Sequence, residues 1–398
     1  MAEKAEKRRD SKGRILRTGE SQRKDGRYAY KYTDSIGKPK FVYAWKLVAT
    51  DRTPPGKRDD ISLREKEKAI NRDILDGIDT IGKKMTVCQL YAKQNRQRVD
   101  VKRATKKNRE YLMGLLRDDP LGGKSIDAVK PSDAKEWAIR MKERGFSFQS
   151  ISNYKRSLRA AFFIAIEDDC VRKNPFNFAL NKVLEDDRGE KTVLTPEQEV
   201  SLIEFAQNDK VYCKYADELI ILLGTGLRIS EFCGLTANLD FENRLIRVDH
   251  QLLRDSQSGY YIETPKTKSG YREVPMSEPV YQALQRVLKR RRKKASFSVG
   301  GYKNFLFLKK DGTPKTGINY NNMIRGLVKK YNKQHKEQLP NITPHSLRHT
   351  FCTRMANAGM NPKALQYIMG HSNITMTLDY YTHVDPCSVK AEMERLTA

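Results

Sequence analysis

The sequence predicts a multidomain α+β protein. We expect an N-terminal domain made of a small three-stranded sheet plus one helix, a helical middle domain, and a mainly helical last domain with a small antiparallel sheet. At 398 residues the chain exceeds the usual size of a single hydrophobic core. Its apolar pattern also changes from alternating to helical, and then to a mixture of the two. We place the domains at residues 1–80, 84–182 and 190–398.

Net charge is the strongest compositional signal. The chain has 76 Lys and Arg against 49 Asp and Glu, a formal net charge of +27. Because such an excess repels itself within a compact fold, it indicates a polyanionic partner, most simply nucleic acid.

The six cysteines are scattered, without a Cys-x-x-Cys pair. This pattern favours reduced thiols over a disulfide framework or a zinc site. No apolar run approaches the length of a membrane span, and the N-terminus lacks the apolar core of a signal peptide. We therefore expect a cytoplasmic protein.

The first domain is predicted from alternating aromatic residues. "RYAYKYTDSIGKPKFVYAWKL" (27–47) has two such runs around a turn at Gly37, which indicates a β-hairpin, and "GRILRT" could add a third strand. "ISLREKEKAINRDILDG" has helical spacing and ends at Gly77. The sheet carries six basic residues: Arg14, Arg17, Arg27, Lys31, Lys38 and Lys40. A solvated basic face would explain them, but we favour DNA contact because β-ribbons can enter the major groove.

The middle domain follows a linker near residues 79–85. Four segments between residues 86 and 178 have apolar residues at three-four spacing, separated by Pro and Gly. Its basic residues include Lys102, Arg103, Lys106, Lys107 and Arg109. They fit phosphate contacts, though a solvated helix face explains them nearly as well.

The last domain opens with a helix-capping pattern at Thr195, Pro196 and Gln198. Farther on, three short segments predict a small antiparallel sheet: "RLIRVDH", "YYIETPK" and "YREVPM". We expect the last two to form a hairpin joined through "TKSG".

Two arginine motifs in this domain suggest anion binding. In "GTGLRISE", Arg228 follows an apolar run, so we expect its guanidinium in an interior setting, paired either with Glu231 or with a bound phosphate. In "ITPHSLRHTF", Thr343 predicts an N-cap. His345 and Arg348 would then project from one face near the positive end of the helix dipole.

A zinc site at His345 and His349 is disfavoured. The metalloprotease pattern needs a glutamate at position 346, where this chain has Ser346. We find no paired carboxylates and no metal-ligand cluster in the sequence, so we expect neither a metal nor a cofactor.

Two further signals lie near the end of the sequence. "MGHSN" places His371 just after a predicted helix that begins at Asn361, and "DYYTHV" contains Tyr380 and Tyr381. Together with the two arginines, these residues could hold a phosphate, move protons and attack with a hydroxyl. Helical spacing does not choose between the two tyrosines.

These motifs resemble the tyrosine recombinase (phage integrase) family, and more closely the integrases of conjugative transposons. The resemblance rests on "GTGLRISE", "PKTKSGYREVP", "PHSLRHTF" and "MGHSNITMTLDYYTHV", taken in that order. The N-terminal "GRYAYKYTDSIGKPKFVYAW" is similar to the arm-site-binding domain of transposon integrases. The resemblance covers nearly the whole chain and is weakest from residue 86 to 180.

The resemblance implies a set of catalytic residues: Arg228, Lys266, His345, Arg348, His371 and Tyr381. The family's Lys-Thr dipeptide fits Lys266 best, with Lys268 as the alternate. Tyr381 is favoured over Tyr380 because it directly precedes Thr-His.

The implied activity is site-specific recombination of a mobile element without a metal. Tyr381 attacks a backbone phosphorus and forms a 3′-phosphotyrosine bond, which conserves the phosphodiester energy for rejoining. Arg228 and Arg348 bind the nonbridging oxygens and His371 donates a hydrogen bond to them. His345 accepts the tyrosine proton or assists proton traffic, and the lysine protonates the departing 5′-oxygen.

The implied partner is double-stranded DNA. The middle and last domains would bind core sites, the N-terminal domain would bind arm sites, and a homotetramer would assemble on the DNA. An excisionase and a DNA-bending protein are candidate accessory partners. The tail "SVKAEMERLTA" could pack on a neighbouring subunit or on its own domain.

Two other functions would use the same residues. A type IB topoisomerase shares the covalent chemistry but relaxes DNA, and a non-catalytic regulator would use the charges only to contact phosphates. The separate N-terminal sheet domain and helical bundle favour a recombinase, which must assemble on defined sites.

Overall fold

The structure is a computed structural model, and it describes residues 8–33, 39–75, 84–187, 189, 192–265, 267–291 and 297–381. Contacts divide the chain into two compact units, Met1–Gly189 and Glu190–Ala398. None of the described helices is both long enough and apolar enough to cross a membrane.

The first unit begins with the predicted sheet and helix. Three antiparallel strands in the order β1-β2-β3 pack on helix α1: β1 Glu20–Gln22, β2 Tyr28–Thr33, β3 Pro39–Ala44 and α1 Leu63–Leu75. Buried Tyr28, Leu47 and Leu63 form the centre of this core. The predicted turn at Gly37, together with Lys38, and the predicted helix end at Gly77 lie outside the described residues.

The third strand is not where the sequence placed it. We expected this strand at "GRILRT" (13–18), but the strand is β1, which starts at Glu20, two residues after the end of that segment. The preceding segment is organised by acidic side chains instead. The Nε of Arg14 donates to Asp10 at 2.9 Å and its Nη1 donates to Asp51 at 2.8 Å. These ion pairs hold the segment as a loop and remove Arg14 from the exposed basic face.

A helical bundle forms the rest of the first unit, as predicted. Its helices are α2 Val87–Arg96, α3 Arg103–Arg117, α4 Pro120–Gly123, α5 Pro131–Glu143 and α6 Phe148–Glu167. Trp137 is fully buried at the centre, and its ring meets that of Phe176 edge-on at 5.8 Å. This core shares no member with the core beneath the N-terminal sheet.

The second unit is mainly helical. Its helices are α7 Pro196–Asn208, α8 Ala216–Thr225, α9 Ile229–Gly234, α10 Glu278–Arg290, α11 Gly317–Gln334, α12 Pro344–Asn357, α13 Pro362–Met369 and α14 Thr375–Leu378. The apolar helix α8 is buried between α10 and α12. The predicted cap of α7 is confirmed, since the Thr195 hydroxyl accepts a hydrogen bond from the Gln198 amide. Thr343 caps α12 in the same way.

The strands of the second unit form three two-stranded sheets: β4 Leu245–Val248 with β7 Arg272–Pro275, β5 Gln251–Asp255 with β6 Gly259–Glu263, and β8 Ser298–Val299 with β9 Tyr302–Lys303. The predicted hairpin between "YYIETPK" and "YREVPM" is therefore wrong. Asp255 accepts the amide of Gln257, and Gly259 has a φ of 74°, so a tight turn folds β6 back onto β5. Strand β7 pairs with β4 instead.

Two glycines test how tightly the second unit is packed around α8. Gly226 ends α8 with φ 60°, and a Cβ built there would lie 2.4 Å from the ring of Phe351. Gly359 has a similar φ of 76° but open space around its Cβ position. Both Gly226→Ala and Gly359→Ala incur the left-handed backbone cost of about 1–2 kcal/mol.

Overpacking against Phe351 should lower the free energy of unfolding of Gly226→Ala by about 1–3 kcal/mol more. Thermal unfolding of the two full-length variants measures this difference. Equal unfolding midpoints would show that the space around Gly226 is not tight.

Candidate active site

Arg228 lies where α8 turns into α9. Gly226 closes α8 in the left-handed conformation, and Arg228 becomes the N-cap residue of α9. Its Nη1 donates to Glu231 and its Nη2 donates to the carbonyl of Gly370, each at 2.8 Å. The expected interior setting is wrong, because 37% of the side chain is exposed at this helix end.

The exposed part of Arg228 borders a cavity of about 340 Å³. The cavity is lined by Arg228, Glu231, His250, Gln251, Pro265, Thr267, Gly270, Gly370, His371, Ser372 and Met376. These residues come from segments far apart in the chain, so the cavity exists only in the folded unit.

Arg348 is the buried arginine of the pair. It is 3% exposed, and its guanidinium donates to the carbonyls of Gly226, at 2.7 Å, and of Met369. Burial and the neighbouring Arg228 charge lower the pKa of Arg348 to about 9. Arg348 thus ties the end of α8 to the end of α13.

His345 does not share the environment of Arg348, although we expected both on one face. His345 is exposed, and its ring lies 4.4 Å from the ring of His349. The Nδ1 of His349 pairs with the hydroxyl of Tyr380. His349, which we did not include among the candidate catalytic residues, therefore contacts the tyrosine segment.

His371 follows α13, as predicted from Asn361, which caps that helix. It is 6% exposed, and its Nδ1 lies 2.9 Å from the hydroxyl of Thr377. Burial, together with the charges of Arg348 and Arg228, lowers the pKa of His371 to about 4. The imidazole is therefore neutral at pH 7, and the tautomer that accepts from Thr377 at Nδ1 carries its proton on Nε2.

Glu231 provides the negative charge among these cations. Its burial raises the pKa, but hydrogen bonds from Arg272 and the charges of Arg228 and Arg348 outweigh that effect and lower it to about 2. Sequence reasoning missed Arg272. The alternation along β7 held the signal, because Arg272 and Val274 are buried on one face while Glu273 and Pro275 are exposed.

The two candidate lysines are not distinguished. Lys266 lies outside the described residues, and Lys268 is exposed at the start of a short 3-10 turn, Lys268–Gly270. Thr267, between them, lines the cavity. The described residues Pro265, Thr267 and Gly270 of this loop therefore border the site.

The hydroxyls of Tyr380 and Tyr381 form hydrogen bonds with groups other than Arg228, Arg348 and His371. The Tyr381 hydroxyl donates to the carbonyl of Met360 at 2.5 Å, and the Tyr380 hydroxyl contacts His349. Burial raises the pKa of both phenols. The pKa of Tyr380 reaches about 12, although the charge of Arg348 lowers it in part. The structure thus gathers Arg228, Arg348 and His371, and it holds Tyr381 on Met360.

The described parts of the chain contain no group of three or more His, Cys, Asp or Glu side chains that could hold a metal ion. The chemistry that the site can perform is that of guanidiniums, imidazoles, phenols and the nearby lysines. Such a set suits binding of a phosphate and attack on it.

Comparison with protein families gives two matches. Residues 192–387 match the phage integrase family, and residues 4–74 match the DNA binding domain of Tn916 integrase. The first match spans every candidate site residue, and the second spans the N-terminal sheet and all but the last residue of its helix.

Individual relatives agree with the family matches. The chain is 66% identical over 393 residues to a transposase from transposon Tn1545 of Streptococcus agalactiae, covering 98% of this chain and 97% of the relative. It is 65% identical, with the same coverage, to the transposase from transposon Tn916 of Enterococcus faecalis. A solved fragment of the Tn1549 transposon integrase, in complex with a circular intermediate DNA, is 63% identical with a TM-score of 0.75. That match covers 78% of this chain and 99% of the fragment. From this identity over nearly its full length, the chain belongs to the phage integrase family of tyrosine recombinases.

Proposed function

We propose that this recombinase excises and integrates a mobile DNA element by cleaving strands through a 3′-phosphotyrosine bond at Tyr381. Site-specific recombination is the activity of the family to which the chain belongs. The observation that carries the residue assignment is the convergence of Arg228, Arg348 and His371 at the end of α13. A cationic cluster beside a neutral imidazole suits a phosphodiester whose charge increases in the transition state.

The partner is double-stranded DNA. The similar Tn1549 integrase has been solved in complex with a circular intermediate DNA and with transposon right end DNA. The related proteins are transposases and an integrase, which favours strand exchange over the relaxation carried out by a type IB topoisomerase.

We divide the work among three domains, at residues 1–80, 84–182 and 190–398. Separate hydrophobic cores around Leu47, Trp137 and Phe232 support this division. The N-terminal sheet would bind arm sites. Its support is an exposed face on which the guanidiniums of Arg23 and Arg27 lie over the ring of Tyr43, at 5.3 and 5.6 Å. The other two domains would bind core sites.

The chemical step exchanges one phosphodiester for another. The Tyr381 oxygen forms a bond to phosphorus, the bond from phosphorus to the 5′-oxygen breaks, and a lysine of the 266–268 loop supplies the proton to the leaving oxygen. The phenol proton passes to solvent through His345. Because the Tyr381 hydroxyl donates to Met360, attack requires that hydrogen bond to break first.

The cations stabilise the charge that develops. Arg228 and His371 both line the cavity, and His371 can donate from Nε2 while Thr377 satisfies Nδ1. Arg348 does not line the cavity in this structure and is held by two carbonyls, so its contact with a phosphate would require one of these neutral acceptors to be exchanged for the anion. Removing one such donor typically costs about 10²–10³ in rate.

Strand exchange between two duplexes needs four active sites, so we propose a homotetramer on DNA. An excisionase and a DNA-bending protein would set the direction of the reaction. The tail "SVKAEMERLTA", the candidate for packing on a neighbouring subunit, lies outside the described residues. We propose that this assembly forms on the nucleoid of a bacterial cytoplasm.

Covalent trapping tests the nucleophile. With nicked DNA of the element ends, the wild-type chain should accumulate a covalent complex whose modified residue, mapped by mass spectrometry, is Tyr381. Tyr381→Phe should form none, because it lacks the attacking oxygen, while Tyr380→Phe should still form it. Trapping by Tyr381→Phe would remove Tyr381 from the mechanism.

Single-turnover cleavage tests the lysine. Lys266→Ala should slow cleavage by about 10²–10⁴, the usual contribution of a positioned general acid. Lys268→Ala should slow it less than about tenfold, since an exposed lysine there would contribute only phosphate attraction. The reverse order of effects would assign the proton transfer to Lys268.

The depressed pKa of His371 predicts a pH dependence of stability. In the folded chain His371 has a pKa of about 4, whereas an unfolded histidine has about 6.5, so the unfolded chain binds more protons between these values. The free energy of unfolding should therefore fall as pH falls from 6.5 to 4. The fall should be shallower in His371→Gln, followed by the thermal unfolding midpoint.

The slope of midpoint against pH is compared between His371→Gln and the wild type over the same pH range. Identical slopes for His371→Gln and the wild type would show that His371 is not held neutral by its surroundings.

A further inference from the structure

Arg272, the first residue of β7, is a buried cation outside the catalytic set. Its side chain is wholly buried and donates four hydrogen bonds. Two go to the carboxylate of Glu231, at 3.1 and 2.8 Å, one to the carbonyl of Gly270 at 3.2 Å, and one to the carbonyl of Ile368 at 2.6 Å. The three nitrogens of the planar guanidinium therefore all have acceptors within the protein.

Each acceptor belongs to a different segment of the site. Glu231 is in α9 and holds Arg228 through its other hydrogen bonds. Gly270 ends the loop that carries both candidate lysines. Ile368 is in the last turn of α13, three residues before His371. The buried Arg272 side chain therefore contacts three segments: the one that holds Arg228, the loop that carries the candidate lysines, and the helix end that precedes His371.

Three successive carbonyls at the end of α13 accept from three different arginines. Ile368 accepts from Arg272, Met369 from Arg348 and Gly370 from Arg228. Carbonyls in the last turn of a helix lack partners within the helix and lie at the negative end of its dipole. The helix end is therefore a shared acceptor that fixes the relative positions of the guanidiniums.

The contact between Arg272 and this helix end leaves no spare room. Gly370 has φ 61°, and a Cβ built there would lie 3.0 Å from Nη1 and 3.1 Å from Cζ of Arg272. The same Cβ would lie 3.1 Å from the carbonyl oxygen of Ser269, in the lysine-bearing loop. Arg272 therefore fits between the residue before His371 and the loop with the lysines.

Arg272 is not among the residues that line the cavity, so a substrate phosphate in the cavity would not touch it. A buried ion pair of this kind is weak evidence for a stabilising role, because apolar replacements are often as stable. Stabilisation of the fold therefore does not explain why Arg272 has acceptors in three different segments of the site.

We propose that Arg272 is a positioning residue that sets the lysine-bearing loop, Arg228 and His371 in one geometry for DNA cleavage. The proposal rests on the proposed function of those residues. It assigns Arg272 an effect on the rate of cleavage, exerted through the groups that it holds, with no contact to DNA.

The test compares Arg272→Lys with Arg354→Lys in the full-length protein. Lysine keeps the charge but cannot reproduce the fork of the guanidinium. Arg354 is the matched control, because it too joins a carboxylate, Glu199, and a backbone carbonyl, that of Leu223, in the same unit. DNA affinity, the thermal unfolding midpoint and the single-turnover cleavage rate are measured on nicked element-end DNA.

Arg272→Lys should bind DNA within about twofold of the wild type and cleave about 10²-fold more slowly, the loss expected from misplacing reacting groups by about 1 Å. Arg354→Lys should cleave at the wild-type rate. Equal rates for the two variants, or a loss in Arg272→Lys matched by weaker DNA binding, would overturn the proposal.

A second substrate separates positioning from general damage. With sulfur in place of the bridging 5′-oxygen, the leaving group has a pKa near that of a thiol, about 8.5, and departs without a proton from the lysine. Arg272→Lys should recover part of its lost rate on this substrate, because the displaced lysine no longer matters. An undiminished loss on the sulfur substrate would contradict control of the lysine loop.

Controls distinguish failure of the proposal about Arg272 from failure of the proposed function and from misfolding of the variant. If the wild-type protein forms no covalent complex, the proposed function fails before Arg272 is tested. If Arg272→Lys does not fold, Glu231→Gln loosens the same contact from the partner side, and it should show the same partial recovery on the sulfur substrate. No recovery in Glu231→Gln would then overturn the proposal.

Discussion

The candidate site depends on the C-terminal end of helix α13, which accepts hydrogen bonds from three arginines. Guanidiniums repel one another when they are brought together away from water. Here the carbonyls of the last turn and the single carboxylate of Glu231 offset that repulsion. The depressed pKa of Glu231 shows how strongly the surrounding cations favour its charged form.

The same helix end determines the state of the histidine that follows it. His371 is close to the arginines and buried, so the protonated imidazole is disfavoured and the ring stays neutral at pH 7. Its Nδ1 is engaged by Thr377. A neutral ring fixed in this way can serve as a hydrogen-bond donor without adding to the charge of the site. The site therefore keeps its excess positive charge on guanidiniums, which remain protonated across the physiological range.

The two candidate tyrosines have hydrogen-bond partners other than these arginines. The Tyr381 hydroxyl is satisfied by the carbonyl of Met360, and the neighbouring Tyr380 is satisfied by His349. Both rings pack on the small apolar cluster around Phe351 and Leu365. The arginines and the tyrosines are thus held through separate contacts, and the cleavage proposed above would require the second set of contacts to change while the first is kept.

The sequence by itself determined the fold class and the N-caps at Thr195 and Thr343, because capping and apolar periodicity are local properties of the chain. The candidate phosphate-binding residues came from the resemblance to the family. Tertiary structure decided the rest. Strand partners depend on which segments meet, as Val248 meets Arg272. The burial of Arg348 and the hydrogen bonds of Arg272 involve segments more than 90 residues apart in the chain, such as Arg272 and Ile368. A local pattern carries no information on which distant carbonyl a guanidinium will meet, since that is fixed only when α8, α13 and β7 pack together.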